Sequence, residues 1–261
     1  LSARSSEIIF TGGATENNNL AILGVLEKYY QIFSHCALPR VRGGTLADKK
    51  FDNTFLTPHI VTTNIEHPSV MEVCKYLEKT KQAEITFVPV AENGIIDPKK
   101  IKNALKSNTI LVSVMYANNE IGTIQPIKEI AKEIRHYKKI LKNNFSQVLG
   151  SPRLTPRPDH SKNYFSEFSK CFPIFYTDAT QAINYLPINV LSLNIDMLSF
   201  NGDKIYGPKD IGVLYVKKNV PLGKIMFGGN QEFGIRPGTE NTASIAGLSE
   251  EIGRASCRER V

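Results

Sequence analysis

The sequence predicts an α/β fold whose sheet is mostly parallel and flanked by helices. Its 261 residues, 41% of them apolar and 22% charged, have the composition of a globular chain that is long enough to bury a large core. Short apolar runs of strand length alternate along the chain with segments of helical periodicity, which is the pattern of parallel strands joined by crossover helices. No stretch approaches the run of about 18 apolar residues that a membrane span requires.

Seven strands are predicted, and helices are predicted between them. The strands are expected at 7–11, 59–63, 85–90, 109–115, 173–177, 196–200 and 212–216. The first helix, 16–30, carries its apolar residues on one side, and Pro68 suits the first turn of the next helix. Asp97 and Pro98 form a start signal for a third helix, and a longer helix follows Pro126.

Two stretches and the end of the chain depart from this periodicity. Residues 33–58 and 143–170 are rich in Pro, Arg, Ser, Asn and Lys, so we interpret them as surface insertions in one large domain that covers 1–252. Residues 253–261 turn basic and polar within an amphipathic helical pattern, and we interpret them as a non-native tail. We expect the chain to be an internal piece of a longer protein.

Charge and cysteine usage argue against several classes of function. The chain has 32 Lys and Arg against 25 Asp and Glu, a net charge of +7, but its basic residues are spread out and no aromatic-basic surface accompanies them. We therefore expect neither nucleic acid nor a membrane as partner. The cysteines show no Cys-x-x-Cys spacing and no paired His ligands, so we expect reduced thiols in a cytoplasmic or organellar protein and no metal site. They are Cys36, Cys74, Cys171 and Cys257.

Ligands of parallel α/β sheets bind beyond the carboxyl ends of the strands, so the residues that follow each strand are the candidates for function. The first strand is followed by Thr11-Gly12-Gly13-Ala14-Thr15, a turn of small residues that opens a helix. Its backbone N–H groups and the Thr15 hydroxyl can hold a phosphate. The alternative is a glycine turn in which Thr15 serves only as the helix N-cap.

Polar side chains also follow the second and fourth predicted strands. His67 stands where the chain enters the second helix, and it is either a catalytic histidine or a helix cap. The loop at 116–122 contains Asn119 within a group of two amides and a carboxylate. This loop either binds a ligand or forms an Asx turn that ends in Gly122.

Two charged residues follow the next strands. Asp178 follows the strand at 173–177, where a carboxylate is costly unless a cation or a base pairs with it. Lys204 lies in a glycine turn after the strand at 196–200. Partial desolvation of a lysine there exposes a nucleophilic amine that can form a Schiff base, and the alternative is a solvated loop lysine.

These four features together match the requirements of pyridoxal 5'-phosphate. That cofactor needs an anchor for its phosphate, a cover for its ring, a carboxylate that keeps the pyridine nitrogen protonated and a lysine that holds the aldehyde as an imine. Four such features at successive strand ends are hard to ascribe to chance. The sequence therefore predicts a pyridoxal phosphate site at the carboxyl edge of the sheet.

Seven segments resemble the cysteine desulfurase and selenocysteine lyase family of pyridoxal phosphate enzymes. They are FTGGATENNNLAI (10–22), TTNIEHPSV (62–70), NGIIDPKKI (93–101), TILVSVMYANNEIGTIQPI (109–127), YTDATQAINYLPI (176–188), MLSFNGDKIYGPKDIGVLYV (197–216) and GGNQEFGIRPGTENT (228–242). Outside the two insertions and the tail, the resemblance covers nearly all of the chain. It implies the large, cofactor-binding domain of the fold-type I pyridoxal phosphate-dependent transferases, and a homodimer.

The resemblance implies roles around the cofactor ring. Asp178 would pair with the pyridine nitrogen, and Lys204 would bind the cofactor covalently. His67 would stack on the ring and assist proton transfer. Gln181 would bond the ring hydroxyl, and Asn119 would contact both that hydroxyl and the substrate.

The resemblance also implies roles on the phosphate side, where this chain departs from the family pattern. Ala14 and Thr15 would hold the phosphate, and Thr239 would reach the phosphate of the partner subunit. The family commonly reads Ser-x-His-Lys where this chain has Asn-Gly-Asp-Lys at 201–204. Asn201 can still donate a hydrogen bond, but an ionised Asp203 beside a phosphate would repel it, so we expect Asp203 to turn away from the phosphate.

The activity implied by the resemblance is removal of sulfur from L-cysteine, which leaves L-alanine. The sulfur passes as a persulfide to an acceptor or scaffold protein for iron–sulfur cluster or thio-cofactor assembly. The family's sulfur-accepting cysteine follows the RPGTENT segment, and none of the four cysteines matches that position. Selenocysteine lyase and a catalytically incomplete cofactor-binding fragment are the close alternatives. A noncatalytic phosphate- or nucleotide-binding domain and a basic scaffold protein remain open from the residues alone.

Overall fold

In the computed structural model, which describes residues 1–34, 57–149 and 171–258, seven strands form one sheet. They are β1 (Ile8–Thr11), β2 (His59–Thr63), β3 (Glu84–Val88), β4 (Thr109–Ser113), β5 (Ile174–Asp178), β6 (Met197–Asn201) and β7 (Gly212–Val216). Their spatial order is β1-β7-β6-β5-β4-β2-β3, and the five strands from β6 to β3 run parallel. Strand β7 is antiparallel to both of its neighbours. The predicted α/β fold with a mostly parallel sheet is confirmed.

Helices cover both faces of this sheet. They are α1 (Ala14–Ser34), α2 (Pro68–Lys79), α3 (Pro98–Ala104), α4 (Ile127–Leu149), α5 (Val190–Leu193) and α6 (Thr242–Arg258). Helices α1 and α2 pack on one face around Leu20 and Tyr176, and α3 and α4 pack on the other face around Ile130 and Phe175. Every residue of β2, β4 and β5 is buried, as expected for parallel strands that are covered on both sides. No helix among the described residues is long and apolar enough to cross a membrane.

Several boundaries differ from those predicted. Helix α1 begins two residues before the predicted start at residue 16, because Gly13, with a φ of 145°, turns the chain directly into the helix. Strand β4 ends at Ser113 rather than at 115, since the next residues leave the sheet to form the candidate site. Helix α4 continues to Leu149, so the first residues of the predicted insertion at 143–170 are helical. Most of the two predicted insertions lies outside the described residues, and residues 253–258 of the predicted tail belong to α6.

The start of α1 is held against the sheet by a buried asparagine. Asn17 donates from Nδ2 to the carbonyl oxygens of Phe200 at 3.1 Å and Val213 at 3.0 Å, and it accepts from the Thr11 hydroxyl at 2.5 Å. Gly212 of β7 lies directly beneath this contact. A Cβ at Gly212 would stand 2.6 Å from Thr11 Oγ1 and 2.8 Å from Asn17 Nδ2, so only glycine permits this close approach.

We predict that Gly212→Ala lowers the free energy of unfolding by about 1–3 kcal/mol, the usual cost of overpacking a tight site. Chemical denaturation of the full-length protein measures this change. Ser249→Ala is the control, because Ser249 is exposed on α6 and alanine favours a helix interior. The control is expected to be neutral or stabilising, and equal losses in both variants would contradict the prediction.

Candidate functional site

A cleft of about 490 Å³ opens at the carboxyl edge of the parallel strands. Loops that follow β1, β2, β4, β5 and β6 form its walls, as the strand-end rule predicts. Thr239, which was predicted to reach the partner's phosphate, is exposed and does not line the cleft, so its role stays a prediction. The other eight predicted site residues all line it: Ala14, Thr15, His67, Asn119, Asp178, Gln181, Asn201 and Lys204.

The first wall is the turn into α1. The first main-chain bond of this helix runs from Asn17 N–H to the Gly13 carbonyl at 3.0 Å. The N–H groups of Ala14, Thr15 and Glu16 therefore precede the helical hydrogen-bond ladder and carry the positive end of the helix dipole. Such a helix N-terminus at a cleft is suited to an anionic group such as phosphate.

An ion pair that sequence reasoning missed closes this turn. The Glu16 carboxylate accepts from Gly12 N–H at 2.8 Å and from Arg236 Nε at 2.8 Å. The hydrogen bond to Glu16 raises the pKa of the Arg236 guanidinium, which offsets a negative charge close to the expected phosphate position. Arg236 lies in the RPGTENT segment, so this contact ties that segment to the start of α1.

Asp178 lies at the buried end of β5 and is only 6% exposed. Its Oδ1 accepts from Thr180 N–H at 2.9 Å and its Oδ2 accepts from Asn18 Nδ2 at 2.8 Å. None of the ion pairs among the described residues includes Asp178. Its charge is therefore held by neutral donors alone, and a cationic ligand atom in the cleft would supply the missing partner.

Two buried polar atoms of cleft-lining residues have no hydrogen-bond partner. They are Thr180 Oγ1 and Asn201 Oδ1. Unpaired buried polar atoms are rare in folded proteins, and at a cleft they indicate a polar ligand. A pyridine nitrogen near Asp178 and a phosphate near the α1 N-terminus fit the donors and acceptors of this cleft.

His67 caps α2 and also lines the cleft, so the helix-cap alternative is confirmed and the catalytic role stays a prediction. Its Nδ1 accepts from Ser69 N–H at 3.1 Å, which caps the N-terminus of α2, and its side chain also lines the cleft. The loop after β4 contains the Asx turn, and ligand binding by this loop stays a prediction. Asn118 forms the Asx turn by accepting from the N–H groups of Glu120 at 2.8 Å and Ile121 at 3.0 Å. The exposed Asn119 lines the cleft.

Lys204 lies in a short 3-10 turn, Asp203–Ile205, directly after β6. Bonds from Gly202 N–H to the Ile211 carbonyl and from Gly207 N–H to the Gly202 carbonyl, both 2.9 Å, pin this turn. The Lys204 Nζ lies 3.0 Å from Asp203 Oδ2, and the two side chains are 44% and 34% exposed. The amine therefore stands at the cleft wall beside the Asp203 carboxylate, and the expectation that this carboxylate turns away from a phosphate stays a prediction.

Glu66 is a buried carboxyl group that sequence reasoning missed, although it directly precedes His67. Its Oε1 accepts from the Thr63 hydroxyl at 2.6 Å and from Met115 N–H at 2.9 Å, while its buried Oε2 has no partner. Burial raises the pKa of Glu66 to about 8, and the nearby Asp178 charge adds to the rise. Glu66 therefore carries a proton at neutral pH and joins the end of β4 to the turn that bears His67.

Cys74 is not suited to nucleophilic chemistry. It lies buried on α2, and burial raises the pKa of its thiol to about 12. Its thiolate is negligible at neutral pH. The part of the chain that the structure describes contains no cluster of His, Cys, Asp and Glu that could hold a metal ion.

With this fold and cleft, the chain belongs to the aminotransferase class-V family, whose model matches residues 45–155 and 166–254. It is 36% identical, over 252 residues and 97% of its length, to the cysteine desulfurase IscS of Dictyoglomus turgidum. These matches confirm the resemblance identified from the seven segments. The chain spans about half the length of the curated relatives it matches, 49% in the case of the D. turgidum protein.

Solved structures show the same similarity. SspA in complex with cysteine superposes with a TM-score of 0.71 at 32% identity, over 97% of this chain and 56% of that chain. DndA from Streptomyces lividans superposes with a TM-score of 0.70 at 31% identity, over 98% of this chain and 57% of that chain.

We predict that Glu66 makes the stability of the protein fall as pH rises from about 4.5 to about 8. The unfolded carboxyl ionises near its ordinary pKa, whereas the folded one keeps its proton up to a pKa of about 8. Between those values folding retains one extra proton, so the unfolding free energy drops by up to about 1.4 kcal/mol per pH unit. The stability contribution is thus present at low pH and is lost as pH rises through 8.

Glu66→Gln removes this titration, and the fall in unfolding free energy between pH 6.5 and pH 7.5 should be smaller in the variant by about 1 kcal/mol. Denaturant titration at both pH values gives the comparison. Glu72→Gln is the control, because Glu72 is an exposed carboxylate on α2. A wild-type slope that Glu66→Gln leaves unchanged would show that Glu66 ionises normally.

Proposed function

We propose that this chain is the cofactor-binding part of a pyridoxal phosphate-dependent cysteine desulfurase, with the large domain over 1–252. In the proposed reaction L-cysteine becomes L-alanine, and its sulfur passes as a persulfide to an acceptor or scaffold protein. The observation that carries this proposal is the meeting of a buried carboxylate that lacks a cationic partner, Asp178, with a lysine amine, Lys204, in one cleft. The similarity to IscS and to SspA in complex with cysteine supports the choice of substrate.

Pyridoxal phosphate supplies an electron sink that weakens bonds of an amino acid bound to it. The Lys204 amine would hold the cofactor and yield its place to the amino group of the substrate. Asp178 would keep a proton on the pyridine nitrogen, since a buried carboxylate without a cation is costly by several kcal/mol. Asn119 and Gln181, which both line the cleft, would hold the ring hydroxyl.

The phosphate would lie at the N-terminus of α1. The N–H groups of Ala14 and Thr15, the Thr15 hydroxyl and the Asn201 amide are the donors on this side. Asp203 lines the same cleft, but its carboxylate is paired with Lys204. In a homodimer Thr239, which is exposed, would extend to the phosphate of the partner subunit.

His67 would cover the ring and act on protons near the reacting carbon. The sulfur acceptor cannot be Cys74, because its pKa of about 12 and its burial leave no thiolate at neutral pH. The sulfur-accepting thiolate is therefore a different cysteine, which must enter the cleft beside Lys204 to take the substrate sulfur. The cleft opens to solvent at the exposed side chains of His67 and Asn119, which leaves room for this approach.

We predict that borohydride reduction of the cofactor-loaded, full-length protein attaches the cofactor to Lys204. Peptide mapping identifies the labelled residue. Lys204→Ala should abolish both the label and the formation of alanine from L-cysteine, because it removes the amine that is proposed to hold the cofactor. Lys128→Ala, on the exposed side of α4, is the control and should retain both.

A label on Lys209, which also lines the cleft, would overturn the assignment of Lys204. Retention of alanine formation in Lys204→Ala would overturn the proposed function itself. L-selenocysteine assayed in parallel separates a desulfurase from a selenocysteine lyase. Turnover of L-selenocysteine without turnover of L-cysteine would contradict the proposed substrate.

We predict that Thr15→Ala weakens cofactor binding more than Asp203→His strengthens it. Thr15 contributes a hydroxyl at the proposed phosphate position, whereas the Asp203 carboxylate lies 3.0 Å from Lys204 Nζ, beside the lysine. Loss of one hydrogen bond to a charged group is worth about 1.5–3 kcal/mol. Cofactor dissociation constants of the two variants decide the matter, and a large gain in Asp203→His would show that the carboxylate faces the phosphate.

A further inference from the structure

A continuous chain of hydrogen bonds joins Asp178 to His67 behind the cleft. Asn18 Nδ2 donates to Asp178 Oδ2 at 2.8 Å and to Ser69 Oγ at 2.7 Å. Ser69 Oγ in turn lies 2.7 Å from His67 Nδ1. Asn18 and Ser69 are not among the residues that line the cleft, and neither has a role in the function proposed above.

The direction of each bond follows from the groups at its ends. The Asp178 carboxylate can only accept, so the amide of Asn18 must present its NH₂ group to it. The oxygen of the same amide agrees with this orientation. Asn18 Oδ1 accepts from the Tyr176 hydroxyl and from Ser199 Oγ, the latter at 3.1 Å. The second N–H of the same NH₂ group donates to Ser69 Oγ.

The Ser69 hydroxyl accepts a hydrogen bond from Asn18 and has one hydrogen of its own to donate. His67 Nδ1 is the acceptor beside it. The backbone N–H of Ser69 also donates to His67 Nδ1, at 3.1 Å. Two donors therefore converge on this nitrogen, which must carry a lone pair. In the neutral imidazole the proton consequently resides on Nε2, the nitrogen on the other side of the ring.

We propose that Ser69 is a positioning residue that transmits the fixed polarity of Asp178, through Asn18, to the imidazole of His67. The Ser69 hydroxyl holds the ring in one orientation and in the Nε2–H tautomer. A ligand in the cleft then meets an N–H donor and not a lone pair. The functional meaning of this inference rests on the proposed pyridoxal phosphate site. In that site His67 would donate a hydrogen bond from Nε2 across the cleft.

A helix cap alone does not need the Ser69 hydroxyl. Capping of α2 uses only the Ser69 backbone N–H, which remains after Ser69→Ala. Ser69→Ala therefore separates the two roles, since it preserves the cap and removes the hydroxyl link between Asn18 and His67. Ser69→Thr restores a hydroxyl at the same Cβ and should restore the effect.

The test is a long-range ¹H–¹⁵N spectrum of the histidine rings in the ligand-free, full-length protein at pH 8. His67→Gln identifies the resonances of His67. In the wild type, Nδ1 should show the shift of an unprotonated nitrogen and Nε2 that of a protonated one. In Ser69→Ala the ratio of Nε2–H to Nδ1–H tautomers should fall about fivefold, the factor expected for one ordinary hydrogen bond, and Ser69→Thr should return it.

His59 provides an internal reference, because its ring nitrogens lie 2.8 Å from the hydroxyls of Thr109 and Thr86 and should not change. Circular dichroism confirms that Ser69→Ala is folded, and Ser69→Cys, whose thiol is a weaker donor, is used if it is not. An unchanged tautomer ratio in the folded variant, or a wild-type His67 protonated on Nδ1, would overturn the proposal. Because this measurement needs no cofactor, its outcome is independent of whether Lys204 binds pyridoxal phosphate.

Discussion

The buried charge of Asp178 is the constraint on which the rest of the site depends. An isolated carboxylate inside a protein costs several kcal/mol unless donors or a cation surround it. Here Asn18 from α1 and the backbone of Thr180 supply the donors, and Asn18 is itself held by Tyr176 of β5 and Ser199 of β6. One charge thereby ties a helix and two strands together. Because both of its direct donors are neutral, the arrangement still favours a cation on the open side.

The same charge shapes the buried groups around it. The Asp178 carboxylate adds to the rise in the pKa of Glu66, and after burial it is the largest cause that raises the pKa of Tyr176 well above its ordinary value. The two carboxyl groups at this edge of the sheet, Glu66 and Asp178, therefore differ in their surroundings. Glu66 is a neutral acid that braces the His67 turn against Met115, and Asp178 lines the cleft. Division of roles between neighbouring carboxyls by their environments is a recurrent feature of active sites.

The sequence was sufficient to predict those features that depend on one strand and the loop after it. The starts of β2, α2, α3 and β7 coincide with their predictions, and eight site residues meet in the cleft because parallel strands end at one edge. The sequence did not indicate the hydrogen bonds and ion pairs that hold these site residues in place. Asn18 lies 160 positions from Asp178 and 51 from Ser69, and Asn18 looks like any polar residue of an amphipathic helix. The Glu16–Arg236 pair, 220 positions apart, is likewise visible only after folding.

The cleft as a whole carries more negative than positive side chains, which limits how it can hold an anion. Four carboxylates, those of Glu16, Asp178, Asp203 and Asp210, line it together with the two lysines Lys204 and Lys209. Arg236 forms an ion pair with Glu16, and Lys204 forms one with Asp203. The charges of these two carboxylates are therefore neutralised. Long-range attraction is then weak, and an anion must be bound by short-range, oriented donors such as the N–H groups at the start of α1. Because the N-terminus of α1 and the Asp178 carboxylate both line it, the cleft favours a ligand with an anionic end and a cationic group. A simple anion would bind at the N-terminus of α1 but would leave Asp178 without a cationic partner.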